Sequence, residues 1–312
     1  MRKIFYPLCL LLFLCSACGH QPSIRDTALV EQAQAAYQAG AYEDAIADAS
    51  SALKLQPTDQ AYLVRALAYL AKGNDTKAFA DLNSTLNLNP NQAEAFVQRG
   101  SIYRKLQQYD KAIADLTKAI QLSPTQTALT VYVQRGEAYL LQGQFSQALA
   151  DFNVALQQAG NYTDAYLGRA KLFQVQGDYE KAIGDYTQAL QSAPNLTPAY
   201  AGRGDAYFFN AQYQNALNDY AQAIKLTSDP KELASLYTGR ADALFMQGLY
   251  EVALADYSQA LAYDSRNAEA YAGRGDALAI LNQFDQAGSD FNAAIKLDPT
   301  RAQAYVKRGD LY

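Results

Sequence analysis

Apolar side chains recur along this chain as pairs of helical stripes. Residues 93 to 124 show one complete unit. Phe96, Gly100 and Tyr103 fall three and four residues apart, the period of one helix face. Leu106, Gln107 and Gln108 break the stripe as a turn. Tyr109, Ala112, Ile113, Leu116, Ala119 and Ile120 resume it on a second helix, and Pro124 stops that helix. Gly and Ala at fixed places predict close approach of the two helices. One such pair cannot bury both its faces, so it must stack on copies of itself.

The copies are present. Ala45, Ala78, Ala112, Ala148, Ala182, Ala216, Ala253 and Ala287 are spaced by 33, 34, 36, 34, 34, 37 and 34 residues. Sixteen residues earlier stand Leu29, Tyr62, Phe96, Tyr132, Tyr166, Tyr200, Tyr237 and Tyr271; twelve earlier there is always Gly or Ala. Pro57, Pro90, Pro124, Pro194 and Pro299 close five of the units. A fixed period near 34 is the signature of a solenoid.

This pattern resembles the tetratricopeptide repeat family. The resemblance covers eight units, about residues 26–58, 59–92, 93–128, 129–162, 163–196, 197–233, 234–267 and 268–301, with Tyr, Phe or Leu where the family has Trp. It implies an all-α solenoid, a right-handed superhelix of antiparallel helix pairs, whose first helices line a concave groove that binds other proteins. Two connections are longer than the rest. Residues 125–128 hold two extra residues and 228–233 hold three; both are expected as loops at the edge between repeats. Residues 302–312 begin a ninth first helix.

Charged columns share the period. Arg65, Arg99, Arg135, Arg169, Arg203, Arg240, Arg274 and Arg308 form one; Asp48, Asp81, Asp115, Asp151, Asp185, Asp219, Asp256 and Asp290 form the other. The alternatives are a binding ladder and a structural one. A buried charge locked to the repeat needs a partner, so the expectation is Arg–Asp pairing across adjoining helices that sets the stacking register. Arg-Gly-Asp occurs at 203, 274 and 308, but inside predicted first helices, which argues against an adhesion loop.

Groove specificity falls to the remaining positions of the first helices. One subgroup of the family grips a terminal carboxylate with Lys and Asn. Here the matching positions read Val97 and Ser101, Val133 and Glu137, Ala201 and Asp205, so that clamp is absent. Repeats six to eight instead carry Asp205, Asp242 and Asp276 beside Phe208, Phe209, Phe245 and Met246. These residues are the candidate groove for an extended or helical segment with basic and apolar side chains. The alternative is that the Asp residues solvate the helix and the Phe residues pack between repeats. Arg104, Lys105 and Lys171, relieved by Glu137, are secondary groove candidates.

Composition narrows the chemistry. With 31 Asp and Glu against 26 Lys and Arg, and no basic run, nucleic acid is not an expected partner. Arg2 and Lys3 precede the apolar stretch Ile4 to Leu14, and Ser16 and Ala17 follow, the pattern of a signal peptide over residues 1–17. Leu14-Cys15-Ser16-Ala17-Cys18 resembles a bacterial lipobox, although Cys15 stands where that motif usually has Leu. The resemblance implies lipidation, such as palmitate, on Cys18, a tether over 18–25, and anchoring to an envelope membrane. The absence of Asp after the Cys favours the outer membrane in a diderm organism. The alternative is a cleaved, unanchored protein.

All three Cys lie at 9, 15 and 18, so cleavage would leave only Cys18; the one His is His20. No triad, thiolate metal site or phosphate loop is available, so neither enzyme activity, nor cofactor, nor metal is expected. The carboxylates recur with the repeat, which argues for packing over a unique catalytic pair. A glycan-associated protein using groove aromatics is the alternative to a protein scaffold. At the other end Tyr305, Leu311 and Tyr312 either fold back as a cap or form an edge that pairs with a second copy.

Overall fold

The computed structural model describes residues 24–123 and 129–310, and among them every regular element is a helix. The signal sequence, Cys18, His20, the tether up to Pro22 and Ser23, Pro124, the residues at 125–128, Leu311 and Tyr312 lie outside the described residues.

The chain forms two compact units, residues 1–99 and 100–312. Unit 1 holds the helix pairs α1 (Ile24–Gln38) with α2 (Tyr42–Leu55) and α3 (Asp59–Ala71) with α4 (Asp75–Leu88); the division falls within α5 (Ala93–Lys105). Unit 2 continues with α6 (Tyr109–Leu122), and then α7 (Leu129–Leu141) with α8 (Phe145–Gln158) and α9 (Thr163–Val175) with α10 (Tyr179–Ser192). Next come α11 (Thr197–Phe209) with α12 (Tyr213–Leu226), α13 (Pro230–Met246) with α14 (Tyr250–Tyr263), and α15 (Ala268–Ile280) with α16 (Phe284–Leu297). The last is α17 (Ala302–Gly309). Within each unit a helix packs on its neighbours in sequence, and odd-numbered helices also touch one another, as in α1 with α3 and α13 with α15. Each unit is a solenoid of the tetratricopeptide repeat type.

The columns explain the packing. Ala45, Ala78, Ala112, Ala148, Ala182, Ala216, Ala253 and Ala287 are all fully buried, each where a second helix crosses its first. Phe152, Tyr186, Tyr220, Tyr257 and Phe291 fill the layer between repeats and are among the largest side chains removed from water. Each such burial is worth roughly 1.5–3 kcal/mol. Among the described residues no helix is long and apolar enough to cross a membrane.

The turn between paired helices has one geometry. The second residue beyond the first helix takes positive φ in every repeat: Gly40, Gly73, Gln107, Gly143, Gly177, Ala211, Gly248 and Asn282. At Ala211 the closure is typical, with Ala211 N–H donating to Phe208 O (3.0 Å) and Gln212 N–H to Tyr207 O (2.8 Å).

One expected loop is not a loop. In place of a bulge over residues 228–233 at the repeat edge, α13 starts at Pro230 and runs for 17 residues against 13 in α11 and α15. The Asp229 carboxylate accepts from the N–H of Lys231 (2.8 Å) and of Glu232 (3.0 Å), and Pro230 already has helical φ. Leu233 and Ala234 are buried, so the extra turn joins the core.

Ala211 carries a Cβ at φ 56°, where five sister positions carry glycine. Replacing Ala211→Gly should raise stability by about 0.5–1 kcal/mol, the relief of left-handed strain exceeding the added chain entropy. An upward shift of the urea midpoint checks this; an unchanged or lower midpoint would refute it.

Candidate functional site

The arginine column comes first because it fixes the helices that carry the groove. In repeat after repeat the guanidinium grips the Asp sixteen residues later, on the second helix of its own repeat, with two parallel bonds. Arg135 donates from Nε and Nη2 to Asp151 (2.8 and 2.7 Å), and Arg65–Asp81, Arg169–Asp185, Arg203–Asp219, Arg240–Asp256 and Arg274–Asp290 repeat the fork at 2.7 and 2.8 Å. The carboxylates are buried and the guanidiniums half-buried. For Arg65, Arg169, Arg203, Arg240 and Arg274 the carboxylate bond, working against burial, holds the guanidinium pKa above its ordinary value.

The pairing therefore lies within a repeat. The register between repeats is set by the third arm, which sequence reading missed. Nη1 donates to a side-chain oxygen on the second helix of the preceding repeat: Arg65 to Ser50 (3.1 Å), Arg99 to Asn83 (2.8 Å), Arg135 to Thr117 (3.0 Å), Arg169 to Asn153 (2.6 Å), Arg203 to Thr187 (3.0 Å), Arg274 to Ser258 (3.2 Å) and Arg308 to Asn292 (2.8 Å). The signal was available: a polar residue stands two places after each Asp except at Ala221, which offers Arg240 no acceptor. The aromatic three residues before each Arg lies beneath its guanidinium, as in Arg240 over Tyr237 at 5.1 Å. In repeat one Gln32 takes the Arg place, and Asp48 is only half-buried. Asp115 is buried on α6.

The carboxylates of the candidate groove are held from below. The Tyr220 hydroxyl donates to Asp205 Oδ1 at 2.7 Å, and that of Tyr257 to Asp242 Oδ1 at 2.5 Å. Each tyrosine reaches up from a second helix because the next first helix has glycine where it passes. A Cβ on Gly273 would lie 2.5 Å from Tyr257 Cζ, and one on Gly239 would lie 2.9 Å from Tyr220 Cζ. At the last step Phe291 has no hydroxyl and Lys307 of α17 replaces the glycine; its Nζ lies 3.4 Å from Asp276 Oδ1. The three Asp residues are thus half-buried and positioned rather than freely solvated. In the Arg-Gly-Asp triplets at 203 and 274, Arg is ion-paired, Gly is buried, and Asp faces the groove.

Above this floor the seven candidate residues come together. Asp205, Phe208, Phe209 and Asp242, with Asp264, Glu269 and Lys231, line a cavity of about 380 Å³. Phe208, Asp242, Phe245, Met246 and Asp276 line an adjoining one of about 150 Å³. Phe208 and Phe245 are half-buried, whereas Phe209 and Met246 are 60% and 52% exposed. Phe209 stacks on Tyr179 (5.5 Å between centroids) and meets Phe208 edge-on. Among the described residues no group of His, Cys, Asp or Glu is arranged to hold a metal ion.

Burial raises the pKa of all three carboxyls. For Asp205 the bonds from Tyr220 and Gln174 oppose it; for Asp276 the Lys307 ammonium does. The Asp242 carboxyl is pushed up to about 6, by burial first and then by Glu269 and Asp276, against the Tyr257 bond and Arg301. Burial and the facing carboxylates push the Tyr220 and Tyr257 phenols far upward, so they stay protonated donors.

The secondary candidates lie on earlier first helices, α5 and α9. Arg104 is half-buried and ion-paired to Glu137, and burial lowers its pKa; Lys105 and Lys171 are exposed. At α17, Ala304 is buried, while Tyr305, beneath Arg308, and Val306 remain exposed.

Comparison with known proteins agrees with this architecture. Family models described as tetratricopeptide repeat match residues 93–126, and 30–93, 133–197, 201–254 and 238–302. Tetratricopeptide repeat protein 13 of Homo sapiens is 37% identical over 92 residues, which cover 28% of this chain and 11% of that protein. The chain thus spans about a tenth of that relative's length. Among solved structures, the APC/C hetero-tetramer Cut9–Hcn1 superposes with a TM-score of 0.66 at 15% identity, over 91% of this chain and 55% of that one. A tetratricopeptide repeat protein from Parabacteroides merdae superposes with a TM-score of 0.61 at 21% identity, over 81% and 98%. At these identities the likeness concerns the fold.

A raised carboxyl pKa favours the folded state when protonated. The stability that Asp242 contributes is full below its unfolded value, about 4, and is lost as pH rises through about 6. Urea midpoints measured from pH 4 to 7.5 should therefore fall more steeply for the wild type than for Asp242→Asn, which keeps an oxygen for Tyr257. Parallel pH profiles would show that Asp242 does not titrate in this window.

Proposed function

The chain belongs to the tetratricopeptide repeat family, and from that premise we propose that it is a non-catalytic scaffold, lipid-anchored at Cys18 to a bacterial envelope membrane, which assists assembly of an envelope complex by binding protein segments along α11, α13 and α15. The family supports protein–protein interaction.

The observation that carries it is the pairing of opposites on one surface. Phe209 meets Phe208, and Phe208, Phe245 and Met246 share a cavity, so the exposed apolar area is contiguous here rather than scattered. Directly beside them Asp205 and Asp242 sit half-buried, each receiving a neutral tyrosine hydroxyl. A segment with apolar and basic side chains would cover the first and neutralise the second. Desolvated charge pairs and aromatic anchors of this kind dominate interface energetics. The adaptable Met246 side chain suits such a surface.

The anchor rests on the sequence alone: a short apolar leader with Cys18 after small residues. From Gly19 to Arg25 a tether reaches at most about 25 Å, so an anchored scaffold would work close to its membrane, at raised effective concentration for partners there.

Metabolic palmitate labelling of the full chain in a bacterial host should mark the wild type and not Cys18→Ser, and the label should follow the membrane fraction; an unlabelled wild type would leave an unanchored scaffold. In the same cells, site-specific crosslinking at Phe209 should trap protein partners that Asp205→Asn/Asp242→Asn loses. Equal trapping by that variant would remove the groove from the reading.

A further inference from the structure

The binding surface has a period, and the period constrains what binds. Leu141, Val175, Phe209, Met246 and Ile280 are the last residues of α7, α9, α11, α13 and α15, the first helices of five successive repeats in unit 2. All five are between 47% and 64% exposed, so every one of these repeats leaves one large apolar side chain in water at the same place. Four residues earlier, one helical turn away, stand Glu137, Lys171, Asp205, Asp242 and Asp276. Four residues of helix rise by about 6 Å, so a charged row runs beside the apolar row at that separation.

The spacing along the rows is the repeat spacing. Neighbouring first helices are in contact, which places their axes about 8–10 Å apart. A polyproline-II segment advances about 9.3 Å per three-residue turn, returning a side chain to the same face once per repeat. A β-strand returns to one face after two residues, about 6.8 Å, and drifts out of step. An α-helix returns a side chain to one face only after seven residues, about 10.5 Å, beyond that range.

Charge complementarity supplies the rest. In the last three repeats the charged row is acidic throughout, and α17 already illustrates an ammonium there, Lys307 against Asp276. Asp205 and Asp242 accept at their Oδ1 atoms from neutral tyrosine hydroxyls, which leave the carboxylate charge in place.

We propose that this face takes an extended segment of another protein in polyproline-II conformation, with an apolar side chain at every third residue against the apolar row and Lys or Arg residues between them over Asp205 and Asp242. This rests on the groove reading above and specifies its ligand.

The test uses the full chain and three labelled synthetic peptides of equal length, followed by fluorescence anisotropy. One peptide has Leu at every third residue with Lys between; the second has the same composition at heptad spacing; the third replaces Lys by Glu. The first should bind about tenfold or more tightly than the others, and Phe209→Ser/Met246→Ser should weaken it by about tenfold. Val175→Ser/Ile280→Ser serves as a second variant should Phe209, which stacks on Tyr179, be needed for folding.

If the heptad peptide binds as well and is lost in the same variants, the three-residue period is wrong while the groove stands. If neither variant changes binding of any peptide, the groove reading itself fails. If the variants instead turn a sedimenting dimer into a monomer, or abolish binding to phospholipid vesicles with no peptide bound, the row is a self-contact or a lipid contact and the proposal falls.

Discussion

The fold depends on a guanidinium with more donors than one carboxylate can use. In Arg65, Arg135, Arg169, Arg203 and Arg274 two arms close on the Asp of the same repeat, and the remaining one reaches the repeat before. The planar fork makes this possible, since Lys presents a point charge without the geometry to bind one carboxylate with two parallel bonds and a second helix with a third. Apolar packing around the Ala columns supplies most of the free energy but tolerates sliding of one helix on another. The ion pair does not: leaving a buried Asp without its Arg would cost about 3–5 kcal/mol. Register along the array is therefore a polar property, held in a layer that is otherwise apolar.

The same layer connects the core to the groove. Tyr220 and Tyr257 fill space between repeats with their rings and reach the groove carboxylates with their hydroxyls, because Gly239 and Gly273 let the rings pass. Groove acidity is thus set partly from behind. A side chain added at either of these half-buried glycines, which themselves line the groove cavities, would alter the surface by moving a tyrosine and freeing a carboxylate. Where Phe291 replaces Tyr, the Lys307 ammonium faces the Asp276 carboxylate in place of the hydroxyl.

Much of this was legible in the sequence. Period, helix pairing, close-packed Ala positions and the Arg–Asp columns all come from residue spacing, because each is a local rule repeated eight times. The groove candidates also came together as one surface, since consecutive first helices place equal positions side by side. What escaped was any feature that depends on two columns at once. Equal counts of Arg and Asp hid the offset: Arg65 belongs with Asp81, so repeat one has an Asp column residue and Gln32 opposite. The Nη1 acceptors needed the preceding repeat in view. The residues at 228–233 read as loop because Asp, Pro and Ser mark turns, yet Asp229 and Pro230 equally begin a helix, and the burial of Leu233 decided between them. Asp205 and Asp242 read as free carboxylates because a tyrosine fifteen residues later is a contact only in three dimensions.

The third arm of the arginine has a consequence for how such a chain can change. Each joint asks that the earlier repeat show a side-chain oxygen at one place and the later repeat an Arg at another, and that the later first helix leave room for the side chain beneath it, as Gly202, Gly239 and Gly273 do for Tyr186, Tyr220 and Tyr257. Ser50, Asn83, Thr117, Asn153, Thr187, Ser258 and Asn292 all serve, with hydroxyl or amide oxygen alike. The polar part of each joint is therefore interchangeable, whereas the apolar part ties a repeat to its neighbour. A repeat that is duplicated or transplanted fits where a glycine still faces the tyrosine of the repeat before. The exception is the joint at Ala221, where the coupling has no side-chain acceptor and the next first helix is longer by a turn; there the groove itself spans the joint, since Asp205 and Phe208 before it line one cavity with Asp242 beyond it.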